Sequence, residues 1–130
     1  MMRPSPGLLI LSSLFVGAGA LHLLRPLPFD SIVPGWAARL FGSERAVTVV
    51  SGVTELAGGL GLLHPATRPA ARWGLLALLI AVFPANVGMA LAPERYRLPA
   101  WVLWARLPLQ PVLMGWVIWA SRDAGDAAKM

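Results

Sequence analysis

Polar positions are sparse along this chain, and where they gather they divide it into four long apolar runs. The first, residues 7–24, follows Pro4 and Pro6 and stops at Arg25-Pro26. Its 18 residues fall within the range of about 17–25 that lets a helix cross a hydrocarbon core. The second run starts behind Gly42-Ser43, with Ser43 as the expected N-cap, and ends at His64-Pro65. The third opens near Pro69 and stops before Pro93. The fourth begins at Leu98 or Pro99, where proline suits a first helical turn, and fades at Ala120. The pattern predicts spans over about 7–24, 44–63, 70–91 and 98–120. That is an all-α integral membrane protein: a compact four-transmembrane-helix bundle in one domain, residues 1–122, with both termini on one side. Residues 123–130 read as a short polar tail.

A secretory leader is the rival reading of the first run, because "MMR" is basic and "AGA" at 18–20 resembles a cleavage site. The apolar stretch continues through Leu24, which argues for a retained helix. Small residues recur within the runs. Ser51, Thr54, Gly58 and Gly61 share one helical stripe, and Ser13 with Gly17 forms a small-xxx-small pair; both permit close approach of helices.

The connection between spans 1 and 2 is long. Pro26, Pro28 and Pro34 are expected to forbid a regular helix in its first half. After Pro34, "GWAARLF" sets Trp36, Leu40 and Phe41 beside Arg39, as a short amphipathic helix at a membrane interface does. A plain connection and a lid over the bundle are both open at this stage.

Composition strengthens the membrane assignment. Hydrophobic residues make up 57% of the chain and charged residues 13%, against roughly 25% charged in soluble domains. The net charge is +5, but Lys and Arg are scattered, mostly where apolar runs end. They resemble membrane anchors and not a phosphate-binding stripe, so the expected partner is the lipid bilayer and not nucleic acid. Orientation does not follow from them: Arg3, Arg68, Arg72, Arg122 and Lys129 on the side of the termini balance Arg25, Arg39, Arg45, Arg95 and Arg97 on the other. Aromatic belts are expected at both faces, Trp36, Tyr96 and Trp101 at one and Trp73, Trp116 and Trp119 at the other, with Trp104 either in the first belt or packed between helices. There is no cysteine, which excludes disulfides, thiol redox chemistry and thiolate metal sites. His22 and His64 sit at opposite faces and provide no metal-ligand set.

Each span also carries something polar: His22, Glu55, Asn86, and Arg106 with Gln110. In hydrocarbon such groups must find partners or water, so they are expected to face inward and meet. Counting from the face away from the termini, a rise of 1.5 Å per residue puts His22 within roughly 5 Å, Asn86 near ~8 Å and Arg106 near ~12 Å. Glu55 comes out at ~15–18 Å and Gln110 at ~18 Å. All five lie between that face and the midplane, which describes a half-pocket open at one end. Arg106 and Gln110, four residues apart, share a helix face. Pro84, Pro108 and Pro111 remove backbone donors nearby and are expected to kink their helices. Glu55 and Arg106, the deep carboxylate and the deep cation, are expected to pair.

At these residues the sequence resembles the DoxX-like family of small four-span bacterial membrane proteins. The resemblance rests on "AGALHLLRPLPFDSIVP" (18–34), "SGVTELAGGLGLLHPATRPAA" (51–71), "VFPANVGMAL" (82–91) and "RLPLQPVLMGW" (106–116). It implies a multi-pass protein of the bacterial inner membrane with cytoplasmic termini and an extracytoplasmic pocket. The positions matching the shared pattern are His22, Pro26, Glu55, Pro65, Asn86, Arg106 and Gln110. Relatives are linked to quinone-coupled oxidation and to oxidoreductase complexes, which implies a quinone or lipid as ligand and a membrane or soluble oxidoreductase as partner. A dithiol mechanism used in the wider four-helix group does not carry over to a chain without cysteine.

No nucleophile–base pair or cofactor motif marks an enzyme. The sequence therefore reads first as a non-catalytic accessory or scaffold protein with a polar half-pocket. A quinone- or lipophile-binding subunit is the alternative, and a proton-linked carrier or a homo-oligomer is weaker still. The polar cluster itself reads either as inter-helix glue or as a ligand site.

Overall fold

The structure is a computed structural model, describing residues 5–95 and 99–122. Arg3, Tyr96, Arg97, Lys129 and the tail at 123–130 lie outside the described residues. Among those described, the elements are all helical: α1 (Pro6–Leu24), α2 (Pro26–Asp30), α3 (Gly35–Phe41), α4 (Glu44–Gly61), α5 (Arg68–Leu91), a 3-10 turn (Pro93–Arg95) and α6 (Ala100–Ala120). Three helices, α1, α5 and α6, are long and apolar enough to cross a membrane. The fourth long helix, α4, carries Glu44, Arg45 and Glu55 along its 18 residues and is correspondingly more polar.

Helix starts follow local chemistry. The Ser5 hydroxyl accepts from the Leu8 amide at 3.1 Å, and the Ser43 hydroxyl from Ala46 at 3.0 Å. Each satisfies one of the amides that a helix start leaves without a partner. Prolines fall where their missing N–H costs least, at the first turn of α1, α2 and α5. This corrects one expectation: Pro26 and Pro28 do not abolish helix in the connection but sit inside the one short turn that is α2. Pro84, Pro108 and Pro111 are likewise accommodated within unbroken helices. Gly42, at φ 101°, takes the left-handed conformation that ends α3 and turns the chain into α4.

The long helices pack each against two others, α1 on α4, α4 on α5, α5 on α6 and α6 on α1, while α2 and α3 lean on α4. The α1–α4 seam is closest. A Cβ added at Gly19 would stand 2.6 Å from the Gly52 carbonyl oxygen, and one at Gly59 3.0 Å from that of Ser12. The buried Ser12 hydroxyl donates to the Gly59 carbonyl at 2.6 Å. The expected pair Ser13 and Gly17 plays no part in this: Ser13 is exposed and Gly17 has open space around it. The buried face of α1 is Leu8, Leu11, Ser12, Phe15 and Gly19, one position round the helix, and Ser12 and Gly19 are the members that meet α4 directly. Gly58 and Gly61 of the predicted stripe face α5, meeting Leu75 and Ala71.

Toward the termini the bundle is filled with Leu8, Leu11, Phe15, Leu62, Leu75, Leu76, Leu79 and Val117. Arg72 closes this end by donating from Nε to Ser121 Oγ at 2.7 Å and from a terminal nitrogen to the Ser121 carbonyl at 2.8 Å, tying the start of α5 to the end of α6. Buried Arg68 donates to the Leu62 carbonyl at 2.7 Å. Both arginines, counted from sequence among the membrane anchors, are thus engaged within the fold. At the opposite end the buried cluster shrinks to Met89, Ala90 and Leu103, with Ile32 and Leu107 against it.

Candidate functional site: a half-polar cavity

Where the apolar filling stops, a cavity of about 560 Å³ opens between the long helices. Its volume lies within the range, roughly 300–1,000 Å³, of small-molecule sites. All five polar residues singled out from sequence, His22, Glu55, Asn86, Arg106 and Gln110, line it. Its remaining walls are mainly apolar, with Leu14, Phe15, Leu78, Val82, Leu113 and Trp116 toward the packed end.

Geometry distributes the polar groups over two walls. On the first, formed by α1 and α4, Glu55 Oε2 stands 3.2 Å from His22 Nδ1. That nitrogen is also 2.7 Å from the Ala18 carbonyl oxygen. A carbonyl only accepts, so Nδ1 carries a proton and gives it to Ala18. Glu55 Oε2 consequently has no hydrogen bond, although it is buried. The other face of the His22 ring is covered by Phe29, stacked at 3.8 Å between centroids and 22° between planes.

On the second wall, formed by α5 and α6, three nitrogen-bearing side chains converge. Asn86 is 4% exposed and Gln110 8%, and among the described residues neither amide hydrogen-bonds to the protein. Arg106 has one contact, a long donation of 3.9 Å to the Met89 sulfur. The expected Glu55–Arg106 pair does not form: among the described residues Glu55 stands against His22, and Asp30 against Arg45. The reason is topological. α4 packs on α1 and α5, and α6 on α5 and α1, so α4 and α6 are diagonal with the cavity between them. Glu55 meets the residue of its nearest neighbour helix, and Arg106 is left facing the cavity.

The connection between α1 and α4 takes part as well. Phe29, Ile32, Val33 and Pro34 line the cavity. Asp30, buried at the end of α2, receives a hydrogen bond of 2.8 Å from Arg45 Nε on α4. The Thr48 hydroxyl beside it, and then the Arg45 guanidinium, hold the Asp30 carboxyl below the ordinary carboxylate range, with burial opposing them. Sequence reasoning did not single out Phe29, Asp30, Met89 or the cavity position of Trp116. Met89 was findable, three residues beyond Asn86 on the same helix face. Phe29 was not, because only tertiary folding brings the connection over His22. Trp116, expected at a membrane face, is partly buried in the cavity wall, while Trp104 is 51% exposed and not packed between helices.

Among the described residues no group of His and acidic side chains could hold a metal ion. The arrangement can instead hold a molecule that is largely apolar and carries a polar end. A family model described as Domain of unknown function (DUF8561) matches residues 11–121, and the chain belongs to that family. The match includes every residue of the cavity named above. No curated protein and no solved structure matches the chain.

Proposed function

For this member of the DUF8561 family we propose a small DoxX-like integral membrane protein that spans the bilayer four times and receives a lipid-soluble molecule in its half-polar cavity. It acts as a non-catalytic accessory subunit of a bacterial inner-membrane system, with α4 as the fourth span. The outward faces favour this placement: Leu9, Ile10, Leu60, Ile80, Ile118 and Trp119 are all about half exposed or more, which suits lipid and not water. In α4 the polar residues that lower its hydropathy are not turned toward lipid, since Glu55 lines the cavity and Glu44 and Arg45 belong to the first turn.

The observation carrying the reading is that Asn86, Gln110 and Arg106 line one mainly apolar cavity where, among the described residues, their side chains have no partner but the Met89 sulfur, a long contact from Arg106. Polar groups retained only to bind helices together would bond to one another, because an unsatisfied group at membrane depth costs several kcal/mol. Groups left open toward a cavity are what a binding site presents. A quinone, the ligand class the resemblance implies, is the reference case, since its carbonyls accept from amide and guanidinium donors.

Native mass spectrometry of gently solubilised protein, combined with thermal shift against a panel of lipophiles, tests the reading. A retained small molecule, or a shift of several degrees with some member of the panel, is expected. A protein that carries nothing and shifts with nothing is scaffold alone.

A further inference from the structure

Resting on that reading, the chemistry of the two walls narrows the ligand. On the α1–α4 wall His22 is engaged, donating to Ala18 and stacking on Phe29, and Glu55 stands beside it with its buried Oε2 unbonded, a carboxylate that offers an oxyanion nothing. The α5–α6 wall differs. Arg106 offers a guanidinium that retains its charge under all ordinary conditions, and the only acceptor within reach in the described protein is a thioether, a weak one. Asn86 and Gln110 add side-chain amides to the same wall, each with an NH2 donor and a carbonyl acceptor, Gln110 one helical turn from Arg106. A neutral carbonyl compound would satisfy donors there but leave the positive charge uncompensated in a poorly solvated place. An oxyanion does both, and a planar guanidinium matches carboxylate and phosphate oxygens two at a time.

The rest of the cavity specifies the other end of the molecule. From Arg106 the α6 wall continues through Leu109 and Leu113 to Trp116, ~15 Å along the axis, with Leu78 and Leu79 of α5 and Leu14 of α1 also lining the cavity. Charge sits toward the α2 end and apolar surface toward the packed end. We propose that the ligand is an amphipathic oxyanion, an acyl chain ending in a carboxylate or phosphate, with its charge on Arg106 beside Asn86 and Gln110 and its chain directed toward Trp116.

The test uses full-length protein in nanodiscs of phosphatidylcholine. Palmitate is compared with methyl palmitate and with decyl-benzoquinone, and a palmitate analogue brominated near the chain end reports location by quenching tryptophan fluorescence. Palmitate is expected to bind at least about tenfold more tightly than the ester or the quinone, since only it makes charge-assisted bonds. Quenching by the brominated acid should fall in Trp116→Phe. The acid-to-ester ratio should collapse toward one in Arg106→Gln. On the unmodified protein it should collapse as acidification protonates the ligand's own carboxyl, an arm that needs no variant to fold. Displacement of palmitate by phosphatidylglycerol doped into the disc would assign the oxyanion to a lipid headgroup; failure to displace it assigns a free acid. Equal binding of acid, ester and quinone overturns the oxyanion assignment while leaving a lipophile site intact. Binding of none of the three removes the site altogether.

Discussion

The two ends of this bundle are built from the same helices yet obey different rules. Toward the termini, leucines and Val117 fill the space between helices, Gly59 lets α4 touch α1 at Ser12, and the polar groups are consumed by bonds such as Ser12 to Gly59 and Arg72 to Ser121. Toward α2 the filling gives way to a cavity, and Asn86, Gln110 and Arg106 remain without comparable partners. The difference teaches where stability ends and function begins. A polar group that is satisfied locks two helices together, whereas one left open at a cavity adds nothing to the fold and waits for something else.

That contrast can be broken most severely at the seam. Gly19→Val would press its side chain against the backbone of Gly52 and Leu56, neither of which can swing aside. Destabilisation at or above the upper end of the usual ~1–3 kcal/mol for overpacking is expected, seen as loss of folded protein in a detergent melt. Gly17→Val on the same helix meets open space and should stay within ~0.5 kcal/mol of the parent. If both variants behaved alike, the seam would not lie where it is described.

Next in size is the packed end itself. Leu75→Ala empties a site that is 0% exposed. In soluble cores such a change costs about 2–5 kcal/mol, but part of that is transfer from water. On the proposed membrane placement the unfolded helices stay in lipid, so the cavity contribution dominates and ~1–2 kcal/mol is expected from SDS titration. Replacing Gln110 by Leu or Arg106 by Met should cost less, within ~1 kcal/mol and of either sign, because the only described bond lost is the long, weak one from Arg106 to the Met89 sulfur. A cost above that of Leu75→Ala would turn these residues back into inter-helix glue and dissolve the contrast.

The smallest effect concerns α2. The Asp30 carboxyl titrates lower in the folded protein than in the unfolded chain. Its stabilising contribution is therefore complete above the unfolded-state value of about 3.9 and is lost as pH falls through the lower folded value. Hydrogen exchange of the α2 amides is expected to accelerate only below about pH 4, with α5 and α6 unchanged. Arg45→Ala should produce the same local acceleration at neutral pH.

Much of this was legible in the chain. The apolar runs and their proline, serine and glycine punctuation gave helices close to where they occur, because capping and proline placement are local matters decided within a few residues. The candidate residues were legible too, since a polar side chain in an apolar run stands out whatever the fold. Their partners were not. Glu55 and Arg106 looked like natural mates by charge, and the pairing failed because their helices are diagonal. Ser13 and Gly17 looked like an interface by spacing, and the interface lies one position round the helix.

The sequence alone determined that this protein is helical, that it is apolar enough for a membrane, and which few side chains carry chemistry, since each of these depends on residue type and near neighbours. Only the tertiary structure decided that His22 meets Glu55, that Phe29 folds over the histidine, and that Arg106 looks into open space. Those outcomes depend on which helices lie side by side and how each is turned about its axis. Periodicity in one helix cannot specify that, because it fixes a face but not what the face will meet.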